Sequence, residues 1–367
     1  MDYTLLKEMS NKNLNSYFSE RQFGTDLLWP NFFPWKEIVS LNFQTLIGSK
    51  GNPVAADIVT WNSSSPLKSR RTVDKLTGDL TPIRMKKQMK ETDLNAYNVA
   101  KAMSKDGDDA RILDLIFDDP DACMTGVLAR VEWIALQTLS QGYVALTKSN
   151  NNGIITAENI DFQMPATHKR VIKSATATRI WSNATAGNPK PLTDISVISA
   201  LAKSEGIKLA YALMTESKWD EMKVTTEVIQ ASLRSTTTGA SPTLEEVNAY
   251  LKAQRLPEII LMDSYVDIEN ADHTISTVNC WTDKYVTFVP FMQVGNILSG
   301  PIAAETNPPK QSVQIKSNGV LIQKYSETDP VAEFTVGLVN AFPSWPTVDR
   351  CYRFDTIGDP QADGLDN

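Results

Sequence analysis

From Pro120 onward the apolar residues Met124, Val127, Leu128, Val131, Ile134 and Leu139 recur at spacings of three to five. Such spacing lays an apolar stripe along one helix. About 25 residues at 1.5 Å each give a rod of roughly 35–40 Å, long for a globular helix. Pro120 suits a first-turn position, with Asp119 before it as the cap, and "SNNNG" ends the rod. A shorter helix, "ARILDLIF", precedes it.

Ahead of these helices the period is two. In "KLTGDLTPIRMKKQMK", residues 75–90, a turn signal leads into a strand where Arg84, Lys86 and Lys90 alternate with Ile83, Met85 and Met89. Between Lys68 and Lys90 eight bases stand against two acids, a local charge of +6 in a chain whose net charge is −7. From Asp106 to Asp121 seven aspartates stand against Arg111, a local charge of −6. A basic strand invites a nucleic-acid reading, but a dedicated DNA-binding domain is usually basic as a whole. Two solvated faces are the plain reading of such blocks. Their opposition raises a third: copies of the chain docking hairpin on helix. Complementary charge would steer that contact and fix its register, while Ile83, Met85 and Met89 supply apolar burial. Reversing Arg84, Lys86 and Lys87 to glutamate is then expected to block assembly and leave the subunit soluble.

Residues 1–47 read as an arm. "LLWPNFFPWKEIVSLNF" packs Trp29, Phe32, Phe33 and Trp35 around Pro30 and Pro34. Prolines this dense prevent a helix, and aromatics this dense want burial. An extended arm burying its aromatics against something else meets both demands. Beyond it, "VAADIVTW" reads as a strand and residues 153–181 as paired strands. Residues 193–290 mix helices and strands, with Thr243 and Glu246 in capping-box spacing. "GVLIQKYS" and "EFTVGLVNAFPSW" return to strands before a polar tail. The fold class is α+β.

Catalytic chemistry leaves no trace. A chain of 367 residues with 42% apolar and 22% charged residues is globular, with room for two or three lobes. Cys123, Cys280 and Cys351 form no CxxC pair, so neither a zinc site nor a disulfide framework is expected, and all three read as buried residues of a reducing compartment. There is no signal-peptide pattern and no apolar run near the length that spans a bilayer. Walker A, GxGxxG, GxSxG and HExxH patterns are absent. His168, among polar neighbours, reads as a surface histidine. "DIENADH", with Asp267, Glu269, Asp272 and His273, matches no ligand motif and reads as a solvated loop. No catalytic, cofactor-binding or metal-binding residue is expected, and the chain is not expected to be an enzyme.

An arm, a long hairpin, a rod helix, paired strands, an α+β lobe and a return to strands follow one another in an order that resembles the major capsid proteins of tailed bacteriophages, with the Hong Kong 97-type fold. The lambda-like capsid protein E family is the nearest. Three stretches carry the resemblance: "NFFPWKEIVSLNFQ" at the entry to the hairpin, "ADIVTWNSSSPLKSRRT" along its first side, and "ETDPVAEFTVGLVNAFPSW" near the C-terminus.

The resemblance implies an N-terminal arm at 1–47, an extended loop at 48–92 and a peripheral domain with its spine helix at 93–189. An axial domain at 190–300 follows, and 301–367 return to the peripheral domain and end in a tail. It implies a structural subunit that self-assembles, as hexamers and pentamers, into the icosahedral head shell around phage double-stranded DNA. The shell belongs to the virion and is assembled in the host bacterial cytoplasm, without cofactor or membrane. Scaffolding protein, portal and a decoration protein are the implied partners. The arm is too short to hold a fused scaffolding domain, so a separate scaffold is expected, and no lysine–asparagine crosslink is expected. Loop contacts are assigned to Lys68, Arg70, Arg71, Lys75, Arg84, Lys86 and Lys87, and their acidic seat to Asp108, Asp109, Asp118, Asp119 and Asp121. The arm's contacts fall to Trp29, Phe32, Phe33 and Trp35. An encapsulin-like compartment is the alternative use of the fold; a DNA-binding protein using the hairpin 68–90 is the alternative of another class.

Overall fold

A computed structural model describes residues 16–18, 20–21, 23–47, 74–103, 109–147, 150–151, 158–172, 180–182, 188–233, 241–270, 272–307 and 312–357. The strand expected in "VAADIVTW" and the polar tail at 358–367 lie outside them. Runs of strands and runs of helices follow one another along the described chain.

Residues 16–18 and 20 of the arm are helical, and a single helical turn, α1 (Trp29–Phe32), is followed by β1 (Trp35–Glu37) and β2 (Asn42–Ile47). Sequence density of proline excluded a helix there, and the structure corrects this. Pro30 occupies the first turn, where its missing N–H has no helical acceptor to lose. β3 (Asp74–Asp79) pairs antiparallel with β2, then β4 (Pro82–Lys90) runs directly into α2 (Glu91–Met103).

The rod is α3 (Asp109–Gln141), 33 residues long, or about 50 Å. It does not begin at Pro120, as the sequence suggested, but passes through it and takes in the shorter helix, and it ends at Gln141 rather than at "SNNNG". An internal proline removes one backbone hydrogen bond, at a cost of about 3 kcal/mol. Packing beyond it offsets that loss: Cys123, Met124, Val127, Leu136 and Leu139 are all sealed from solvent.

β5 (Tyr143–Leu146) pairs with β6 (Glu158–Asp161), and β7 (Lys169–Val171) leads away from them. Next come α4 (Pro191–Ser204), β8 (Tyr211–Met214), α5 (Glu216–Lys223), α6 (Thr226–Leu233), α7 (Leu244–Ala253) and β9 (Glu258–Leu261). The expected capping box opens α7. Glu246 N–H donates to Thr243 Oγ1 at 3.3 Å, and Thr243 N–H donates to the Glu246 carboxylate at 2.8 Å. A hairpin of β10 (Tyr265–Glu269) and β11 (Ile275–Asn279) precedes β12 (Tyr285–Val289), β13 (Asn296–Ser299) and a short α8 (Ala303–Thr306). The chain closes with β14 (Val313–Ser317), β15 (Val320–Thr328), β16 (Val331–Ser344) and β17 (Tyr352–Asp355).

Two sheets organise these elements. The first has the order β1-β13-β16-β15-β14, with β4 pairing along the other side of β16. Its register sets Arg84 opposite Leu338 and Lys90 opposite Ala332. Helix α3 crosses one face closely. A Cβ on Gly337 of β16 would stand 2.7 Å from the Cys123 carbonyl oxygen, and a Cβ on Gly126 of α3 would collide with the Met85 sulfur. Two glycines thus let helix and sheet meet almost backbone to backbone. The second sheet has the order β7-β17-β12-β8-β9 and shares a separate core with the neighbouring helices, built on Trp181, Ile195, Phe288 and Phe354.

Candidate intersubunit surfaces

Strand alternation divides the basic residues of β4 between two faces. Ile83, Met85, Lys87 and Met89 fall on the side of α3, where Ile83 is buried and Met85 lies against Gly126. Arg84, Lys86, Gln88 and Lys90 fall on the opposite side and are exposed. Lys87 thereby faces Asp119 of α3, as does Lys324 of β15. Burial raises the Asp119 carboxyl above its usual range, and these two ammonium groups offset that only in part. The basic strand and the acidic helix do meet, but they meet within one chain.

Asp121 is also engaged in its own chain. Tyr17 donates its hydroxyl to Asp121 Oδ2 at 2.6 Å, and Arg21 forms an ion pair with the same oxygen. Burial raises this carboxyl too, with Arg21 opposing the shift. Asp118 is exposed. Lys75 stands on β3 and Asp109 begins α3, while Lys68, Arg70, Arg71 and Asp108 lie outside the described residues.

The arm runs along α3. Eleven residues beyond Asp121, about 16 Å up the helix, the fully buried Glu132 accepts hydrogen bonds from Leu28 N–H at 3.0 Å and Trp29 N–H at 2.9 Å. Burial raises the Glu132 carboxyl, and those two amides oppose the rise. Trp29, Phe32 and Phe33 are buried; Trp35 packs on Trp29 at 5.5 Å, and Phe33 meets Trp345 edge-on at 6.5 Å. Val294 N–H donates to the Phe32 carbonyl at 3.0 Å, and β1 adds in parallel to β13. Sequence reasoning sent these aromatics to a neighbouring copy, whereas the structure gives them their burial in the chain's own core. Each buried ring contributes about 1.5–3 kcal/mol.

Several functional-looking groups turn out to be structural. His168 is buried rather than on the surface: its ring stacks on Tyr352 at 4.1 Å, Nδ1 donates to the Cys351 carbonyl at 3.1 Å, and Nε2 meets the Glu205 carboxylate at 2.8 Å. All three cysteines are buried and free. Burial pushes the Cys123 thiol to about 11 and the Cys280 thiol to about 12, and it raises Cys351 as well, so the thiolate that would be reactive is suppressed. Among the described residues no three His, Cys, Asp or Glu side chains gather as metal ligands, and no helix is long and apolar enough to cross a membrane. Sequence reading missed a buried ion pair, Lys324–Glu333 at 3.3 Å. The alternation in "GVLIQKYS" was its one available signal, since it puts Lys324 on the strand face of Val320 and Ile322.

Comparison with known proteins is consistent with this architecture. The family model described as phage major capsid protein E matches residues 10–352. No curated protein sequence matches the chain. Among solved structures, a prophage protein of E. coli CFT073 ascribed to the capsid superposes with a TM-score of 0.56 at 14% identity, covering 95% of this chain and 99% of its own. A phage-related protein from Bordetella bronchiseptica RB50 superposes with a TM-score of 0.53 at 12% identity, covering 95% of this chain and 97% of its own.

Proposed function

The chain belongs to the phage major capsid protein E family and is a structural shell subunit, and from that premise we propose that its copies assemble as hexamers and pentamers into an icosahedral head around double-stranded DNA. The observation that carries this reading is a family match running over nearly the whole chain, from residue 10 to 352. The structure supports it in a second way. The acidic helix and the arm aromatics are largely occupied inside the chain, so a folded subunit can present a defined outer surface before it meets a copy.

In this reading the part of residues 48–92 that precedes β4 reaches over a neighbour, since β4 itself is paired with β16 of its own chain, and 190–300 gather at the capsomer centre. Scaffolding protein, portal and a decoration protein complete the head, and no catalysis is involved. Association rests on many weak contacts between unlike patches, which close into rings where the rotation allows. Electron microscopy of the concentrated protein tests the reading: closed shells are expected, with nuclease-protected DNA in particles taken from infected cells. Particles that carry protein cargo and no DNA would instead mark an encapsulin-like compartment, and a chain that stays monomeric at high concentration would overturn both.

A further inference from the structure

Two open strand faces on this chain carry opposite charge at the same pitch. The first is the side of β4 turned away from α3, where Arg84 and Lys86 are exposed and take part in no ion pair among the described residues. Lys86 Nζ lies 3.8 Å from the centre of the Phe334 ring and 5.5 Å from that of Tyr325, rings that themselves stack at 5.3 Å. The half-buried Val336 and Leu338 stand opposite Lys86 and Arg84 in register. This face is therefore a cationic pair set beside a partly open apolar strip.

The second is the outer side of the β10–β11 hairpin. Its inner side buries Val266 and Ile268, which leaves Tyr265, Asp267 and Glu269 outward on β10. Ile275, opposite Glu269, is 70% exposed and Tyr265 is 63% exposed, both high for large apolar side chains. Thr277 donates its hydroxyl to Asp267 at 2.5 Å, and His273 pairs with Glu269 at 2.7 Å, so both carboxylates are held at the surface. Alternate residues on a strand lie about 6.6–6.8 Å apart. Arg84 and Lys86 thus share a spacing with Asp267 and Glu269.

We propose that the β10–β11 hairpin of one copy docks on the β4–β16 face of a second copy, with Asp267 and Glu269 meeting Arg84 and Lys86. Tyr265 and Ile275 then cover Val336 and Leu338. The charges set register and approach, and the apolar strip holds the contact. Because the two faces differ, the contact is head to tail and can repeat from subunit to subunit. The proposal rests on the shell reading and deepens it by naming where one copy meets another.

Charge exchange on the full chain tests it. R84E/K86E and D267K/E269K are each expected to remain folded by circular dichroism and soluble at subunit size, with shell yield reduced at least tenfold. R84E/K86E/D267K/E269K restores the pairing with its sign inverted and is expected to recover shells. The neutral R84Q/K86Q should lie between, and it keeps the test readable if a reversed variant fails to fold. Normal shells from either reversed pair, or no recovery in the fourfold variant, overturn the contact and leave the shell reading standing. Intact R84E/K86E shells that retain less DNA overturn it in favour of phosphate contacts. A parent chain that never assembles overturns the shell reading and this contact with it.

Discussion

Lys324 on β15 and Glu333 on β16 hold their charges 3.3 Å apart, with only 2% and 1% of their side chains exposed, beneath the same helix whose Asp119 faces Lys324. Two ions this dry are costly to separate: removing one partner of a buried pair typically destabilises by about 3–5 kcal/mol. K324M is expected to lose that much in urea unfolding of the isolated subunit, because Glu333 and Asp119 then lack their shared cation. K324M/E333L should recover at least half, since an apolar pair can replace a buried ionic one. A K324M midpoint close to that of the parent would remove the pair from the account of how β15 and β16 support α3.

Lys87 and Arg84 lie three residues apart on β4 but should respond in opposite ways to charge reversal. Lys87 faces Asp119, whose burial already raises its pKa, whereas Arg84 faces outward. K87E is expected to destabilise the subunit by on the order of 1 kcal/mol, a modest figure because Lys87 is exposed and solvent screens the pair. R84E should leave stability unchanged within error and affect only association. Equal unfolding midpoints for the two variants would refute the division of this strand into an inward and an outward face. Reversing Arg84, Lys86 and Lys87 together therefore mixes a folding defect with an assembly defect, and the three should be separated.

Much of this arrangement was legible locally and little of it globally. The alternation of β4, the capping box of α7 and the apolar stripe of α3 are set by neighbours within a few residues, and they stand where the spacing put them. Pro120 misled because its local cost is outweighed by burial further along the helix, against a sheet formed some 200 residues later. The arm aromatics misled for a similar reason: their demand for burial was plain, but Trp345 and β13 are remote in sequence. His168 sits among polar neighbours in the chain, yet Tyr352 and Cys351 close over it. Residue type announces that a partner is needed, and only the topology decides which one.

Three carboxyls on α3 give the subunit a characteristic pH response. Burial is the largest influence on Asp119, Asp121 and Glu132, and it raises all three. The folded chain therefore holds these protons more tightly than the unfolded chain, whose carboxyls titrate near 4. Where the folded state binds more protons, stability falls as pH rises. The favourable contribution is present below the unfolded range and is lost as pH climbs through the raised folded values. Thermal unfolding followed upward from pH 4 should show D119N with a shallower decline than the parent. A parallel decline in both would mean that Asp119 contributes nothing to the response.

Glu132 gives the most direct handle on the arm. Its fully buried carboxylate receives two backbone N–H groups, from Leu28 and Trp29, at the point where the arm turns into α1. In E132A both amides lose their acceptor inside the protein, and each buried unsatisfied group costs about 1–3 kcal/mol. E132Q keeps one acceptor oxygen but turns an amino group towards the second N–H, so it should be intermediate. The loss should fall mainly on the arm, because the core side chains that α3 sets against the sheet, Cys123, Val127 and Val131, remain in place. Limited proteolysis reads this directly: cleavage between Arg21 and Trp29 is expected to speed up at least tenfold in E132A, while the fragment containing α3 and the sheet stays resistant. Cleavage at the parent rate would show that the aromatic contacts of Phe32 and Phe33 hold the arm without the clamp.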